Sequence, residues 1–107
     1  MGLSKSYETK EPTRAEVDAL PGATVIEFGT PWCGWCRGAQ PQIARAFEGR
    51  DAVRHIKVED GSGRRLGRTF RVKLWPTLVF MKDGHVVETL VRPHDAQSIE
   101  MAMGKIA

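Results

Sequence analysis

The 107-residue chain reads as an α/β sandwich: a mixed β-sheet of parallel strands plus a C-terminal antiparallel hairpin, with helices on both faces. Three observations predict it. An apolar run of β-formers at residues 23–28 is followed by a helical pattern and then by an alternating stretch at 53–58. Two strands joined through a helix run parallel by the right-handed crossover rule. Residues 77–81 and 85–91 flank Asp83-Gly84, a two-residue signal for an antiparallel hairpin. Helical patterns before, between and after these strands supply cover for both sides of the sheet.

Each element has a local reason. Residues 1–12 are polar and read as an extended N-terminal arm, with one edge strand near 6–8; residues 13–107 form the single domain. Thr13 and Glu16 make a capping box behind Pro12, so a short helix runs to about Leu20, where Pro21-Gly22 stops it. The strand at 23–28 is apolar on both faces except at Glu27, which suits a buried strand. Gly29-Thr30-Pro31 ends it. A helix follows from about Cys36, with Ala39, Ile43 and Phe47 on one face; Pro41 inside it predicts a kink, and Gly49 closes it. In the strand at 53–58, Val53, His55 and Lys57 lie on one side and Arg54, Ile56 and Val58 on the other. Asp60-Gly61-Ser62-Gly63 is a turn, and 64–70 a short helix with Leu66 and Phe70 inward. Asp95 caps a last helix whose Ile99, Met103 and Ile106 form one stripe.

Composition excludes several classes of function. Hydrophobic residues at 41% and charged residues at 27% are those of a soluble globular domain. Lys plus Arg exceeds Asp plus Glu by only 16 to 13, and no aromatic–basic stripe accompanies the excess, so no nucleic-acid partner is expected. No stretch is long and apolar enough for a bilayer, and the first residues carry no secretory h-region, so a cytoplasmic monomer without a membrane partner is expected. Gly2 followed by Ser6 fits the myristoylation pattern, a match too short to carry an assignment. The basic run Arg64, Arg65, Arg68, Arg71, Lys73 reads as a solvated face. His55, His85 and His94 are scattered without ligand spacing; they read as surface or structural residues, and neither a metal nor another cofactor is expected.

The chemistry lies in Thr30-Pro31-Trp32-Cys33-Gly34-Trp35-Cys36-Arg37. The only two cysteines are three positions apart, a loop too short to stabilise a fold, so the pair reads as reactive. They stand where a buried strand hands over to a helix. The unpaired N–H groups and positive dipole end of the first helical turn would stabilise a thiolate at Cys33. One sulfur attacks a substrate disulfide and the other resolves the mixed disulfide.

On these residues the chain resembles the thioredoxin superfamily. Trp32-Cys33-Gly34-x-Cys36-Arg37 is similar to the family's Trp-Cys-Gly-Pro-Cys-Lys. Pro41, Trp75-Pro76-Thr77 and Lys82-Asp83-Gly84 match its helix proline, its cis-proline element and its closing hairpin. The resemblance implies the thioredoxin fold, with Cys33 as exposed nucleophile and Cys36 as buried resolving thiol. It implies Pro76 as a cis-proline facing them, and the peptide groups around Trp75 as a seat for an extended substrate. Trp32, Gly34, Trp35, Trp75, Pro76 and Arg92 form the substrate-contacting set. Glu27 stands where the family carries a buried acid, with Lys57 at the position of its neighbouring lysine. Both are assigned to proton transfer at Cys36.

Three departures stand out. Trp35 replaces a proline between the cysteines, Trp75 is bulky where a smaller aliphatic residue is usual, and Val91-Arg92 replaces a family glycine. The three tryptophans would then ring the cysteines, and Arg92 would repel substrates or select acidic ones. The implied activity is reduction of protein disulfides, with a thioredoxin-reductase-type electron donor and no prosthetic group. The alternatives are a binding module dedicated to one partner, or a more oxidising oxidase or isomerase.

Overall fold

A central strand must be covered on both faces before its run of apolar residues makes sense, and the architecture follows from that requirement. The computed structural model describes residues 2–107, Met1 of the N-terminal arm lying outside them. The elements run α1 (Arg14–Asp18), β1 (Ala23–Gly29), α2 (Gly34–Ala46), β2 (Arg54–Glu59), α3 (Leu66–Thr69), β3 (Thr77–Lys82), β4 (His85–Val91) and α4 (Ala96–Gly104). Strand order in the sheet is β2-β1-β3-β4. β1 pairs parallel with β2 and antiparallel with β3, and β3 pairs antiparallel with β4. This is the α/β thioredoxin fold that the sequence predicts.

Successive strand residues point to opposite faces, and the two cores sort accordingly. On one face Val25, Leu78 and Phe80 pack with Ala39 and Ile43 of α2 and with Ile99 and Met103 of α4. On the other, Ile26, Phe28, Val79 and Met81 meet Val17 of α1 and Leu66 of α3. The same parity turns Glu27 and Gly29 toward α2, beneath the helix that carries the cysteines.

Local chemistry sets the element ends. Thr13 and Glu16 form the predicted reciprocal capping box of α1. α2 begins at Gly34, two residues before the position predicted, because Cys33 takes the N-cap with extended backbone and its sulfur accepts the Cys36 N–H. Apolar periodicity could not show this start, since Gly34 and Trp35 of the first turn face solvent. Pro41 lies inside α2 without ending it. The helix predicted at 64–70 shortens to the single turn of α3. The edge strand predicted near 6–8 reduces to two isolated bridges, Gly2 to Arg54 and Tyr7 to Lys57. Between them the Ser4 N–H turns to the His55 side chain, leaving no continuous ladder.

The β3–β4 hairpin turns on Asp83 (φ 47) and Gly84 (φ 83), two successive left-handed residues as a type I′ turn requires. Asp83 also ties the turn to the α1–β1 connection: its N–H donates to Gly22 O and its carboxylate accepts from Gly22 N–H. A Cβ at residue 84 would run into the Asp18 carbonyl. Gly84→Ala is therefore expected to lower stability by about 1–3 kcal/mol, read as a lower urea midpoint with an unchanged slope.

Candidate active site

β1 ends at Gly29, and the loop through Thr30 delivers Cys33 to the N-cap of α2. The Cys33 N–H donates to Thr30 O at 3.3 Å, and the Cys36 N–H donates to the Cys33 sulfur at 3.1 Å. The sulfur thus sits at the end of the helix where the unpaired N–H groups of the first turn converge. Both cysteines are free; Cys33 is partly exposed and Cys36 buried. Gly29 makes the burial possible, because a Cβ there would stand 2.5 Å from the Cys36 sulfur and 3.2 Å from the Tyr7 hydroxyl.

Behind the sulfurs lies a buried polar network centred on Glu27, which is 0% exposed. Its Oε2 accepts from Gln40 Nε2 at 2.8 Å, and the same amide donates to the Cys36 carbonyl at 2.8 Å. Lys57 Nζ donates to Gln40 Oε1 at 3.2 Å and stands 3.9 Å from Glu27 Oε2. Glu27 Oε1 lies 2.9 Å from His55 Nε2. The Ser4 N–H donates to His55 Nδ1 at 2.8 Å, which makes Nδ1 an acceptor and places the ring proton on Nε2, aimed at Glu27. Phe47 stacks on the imidazole with centroids 4.6 Å apart, and Lys57 Nζ sits 4.7 Å over the Tyr7 ring.

Glu27 and Lys57 are both buried, and His55, read as a surface or structural residue, is buried as well. Sequence reasoning missed His55, Gln40 and Tyr7 as members of the site. A signal existed for two of them. His55 shares a strand face with Lys57, two residues on. Gln40 lies one helical turn after Cys36.

In front of the sulfurs runs a groove. The Trp75-Pro76 peptide is cis. A cavity of about 400 Å³ is lined by Gly34, Trp35, Gly38, Ala39, Gln42, Pro76, Arg92, Pro93 and His94. Trp35 stands 57% exposed on this wall, and Trp32 is 68% exposed. The Trp75 indole is turned to the β2–α3 connection, donating to Asp60 at 2.8 Å and lying 3.8 Å from a Cβ placed at Gly61. Of the three tryptophans, Trp35 is the one that forms the groove wall. Arg92 is half-buried in that wall. Its Nε donates to the Trp75 carbonyl at 2.8 Å, its N–H donates to Pro76 O at 2.8 Å, and its guanidinium lies 4.8 Å over the Trp35 ring. Its φ of 49 is left-handed, a conformation that costs a non-glycine residue roughly 1–2 kcal/mol.

The family model described as Thioredoxin matches residues 6–105. The chain belongs to the thioredoxin family. It is similar to thioredoxin of Listeria monocytogenes serovar 1/2a, 30% identical over 99 residues that cover 90% of this chain and 96% of that one. It resembles the reduced-form structure of thioredoxin 2 from Pseudomonas aeruginosa PAO1, with a TM-score of 0.85 and 50% identity over 96% of this chain and 95% of that one. Protein disulfide-isomerase erp38 of Neurospora crassa is 41% identical over 61 residues, 53% of this chain and 16% of that protein. The protein is accordingly a thioredoxin-type thiol–disulfide oxidoreductase, a protein-disulfide reductase with a CxxC active site. Membership implies disulfide substrates and a reductase as electron donor. Among the described residues no helix is long and apolar enough to cross a membrane.

In this thioredoxin-type site the two thiols differ by environment. Burial pushes the Cys36 thiol up to about 12; its hydrogen bond with Cys33 and the charges of Cys33 and Glu27 act the same way, and a backbone hydrogen bond at Thr30 opposes them. The Tyr7 phenol is also raised, first by burial, then by Cys36 and Glu27. A thiol raised on folding stabilises the reduced protein below the unfolded value near 9, and this stabilisation is lost as pH rises toward about 12. In urea titrations of the reduced protein, the wild-type midpoint is expected to fall more steeply above pH ~9 than that of Cys36→Ser.

Proposed function

We propose that Cys33 is the attacking sulfur, Cys36 the resolving sulfur and Glu27 the acceptor of the Cys36 proton, with Lys57, Gln40 and His55 positioning that carboxylate. The Cys33 thiolate attacks one sulfur of a protein disulfide; a mixed disulfide forms and the other substrate sulfur leaves as a thiolate, to be protonated by solvent. Cys36, held protonated by burial, then gives its proton toward Glu27 and attacks the Cys33 sulfur, releasing the second substrate thiolate. The substrate gains two electrons and two protons, and the Cys33–Cys36 pair becomes a disulfide that a thioredoxin-reductase-type donor reduces. No prosthetic group takes part. An extended substrate segment lies across Trp75 and Pro76, against Trp32, Gly34 and Trp35, by strand addition to the main chain. A reducing role fits the cytoplasm, where thiols stay reduced.

The observation that carries this reading is the Cys36 N–H aimed at the Cys33 sulfur at the end of a helix, with the second sulfur buried behind it. Reduction of insulin disulfides tests it. Cys33→Ser and Cys36→Ser are expected to abolish turnover, and the latter to accumulate mixed disulfides. Glu27→Gln is expected to slow the reaction on the order of a hundredfold at neutral pH and to change its pH profile. An unaltered rate and profile would remove Glu27 from the mechanism, and turnover by Cys33→Ser would remove the attacking sulfur.

A further inference from the structure

The geometry points to Arg92 as a substrate-selecting gate. It closes the main-chain acceptor beside Pro76 and yields it to disulfide segments that carry a carboxylate near the reacting cysteine. The inference rests on the reading of Trp75 and Pro76 as the seat of an extended substrate, and it names the substrate class.

Five observations converge on this residue. Its backbone is left-handed at φ 49, where glycine is unstrained, so side-chain interactions account for an arginine there. Its Nε fills the Trp75 carbonyl at 2.8 Å, the kind of acceptor that an added strand pairs with. Its two terminal nitrogens make no hydrogen bond, and the guanidinium no ion pair, among the described residues. The Trp35 face 4.8 Å away holds the cation in place without neutralising it. Finally, the groove wall contains no Asp or Glu. Its ionisable members are Arg92 and His94.

An unpaired, half-buried cation in a groove free of carboxylates is complementary to an acidic segment. A substrate Glu or Asp reaching the terminal nitrogens can take the guanidinium in a two-pronged ion pair and draw it off the Trp75 carbonyl. The carbonyl is then free to accept from a substrate N–H. A neutral segment must break the Arg92–Trp75 bond without a replacement, and a basic one also meets a like charge. Because the groove begins at Gly34, next to Cys33, the selecting residue lies close to the reacting sulfur.

The test uses the reduced full-length protein and three peptide mixed disulfides that are identical except for Glu, Gln or Lys on either side of the cysteine. Wild type is expected to reduce the Glu peptide about fivefold faster than the Gln peptide, the upper end of what a half-exposed ion pair supplies. The Lys peptide should be slowest, and added salt should compress the series. Arg92→Gly relaxes the left-handed backbone, so it is expected to fold. It should accelerate the Gln and Lys peptides and erase the order. Arg92→Lys keeps the charge without the planar fork; it should accelerate the Gln peptide and retain a preference for Glu. Equal rates of wild type on all three peptides would overturn the gate, as would an order that survives in Arg92→Gly. Failure of wild type to reduce any of them, together with failure on insulin, would instead overturn the reductase chemistry on which the gate depends.

Discussion

Strand β1 has neighbours on both edges and helices on both faces, so its side chains from Thr24 to Phe28 are buried away from water. Apolar residues satisfy that constraint by packing. Glu27 cannot, because an unpartnered carboxylate in such a place costs several kcal/mol. The fold resolves the conflict by converging three side chains from two elements on it: His55 and Lys57 from β2 and Gln40 from α2. The N-terminal arm joins through Ser4, whose N–H sets the imidazole tautomer, and through Tyr7, which covers Lys57. One buried carboxyl group thereby ties together the arm, the sheet and the helix that presents the cysteines.

The same parity that buries Glu27 makes room for the reactive pair. Gly29 follows on the same strand face and leaves the space that the Cys36 sulfur fills. Cys33, at the helix cap, keeps contact with solvent and receives an N–H. Two chemically identical residues thus meet opposite environments within a single helical turn. Burial disfavours charge on Cys36, while Cys33 sits at the helix cap with an N–H on its sulfur. The division of labour comes from placement rather than residue type.

On the substrate side, two departures from the family pattern form one structural unit. Trp35, between the cysteines, and Arg92, after β4, are distant in the chain and stack in space. Arg92 in turn holds the main chain of Trp75. The third departure, the Trp75 ring, goes elsewhere and braces the β2–α3 connection through Asp60.

Local signals were legible wherever local physics decides the outcome. The Thr13–Glu16 box, the Asp83-Gly84 turn, the apolar run of β1, the alternation of β2 and the cysteine spacing each involve neighbours in the chain, so composition and periodicity reveal them. The Trp75-Pro76 element was legible through its motif. Periodicity names the face a residue occupies and is silent on what it meets there. His55 and Lys57 could be placed on one face, but the contacts of Glu27 with Gln40 and of Ser4 with His55 join segments that only folding brings together. The start of α2 was hidden for a related reason: a functional first turn faces solvent and carries no apolar repeat. The chain by itself determined the fold, the reactive pair and the acid beneath it. Tertiary structure decided which side chains hold that acid and where Arg92 and Trp75 point, because burial and side-chain partnership belong to the assembled interior rather than to any stretch of sequence.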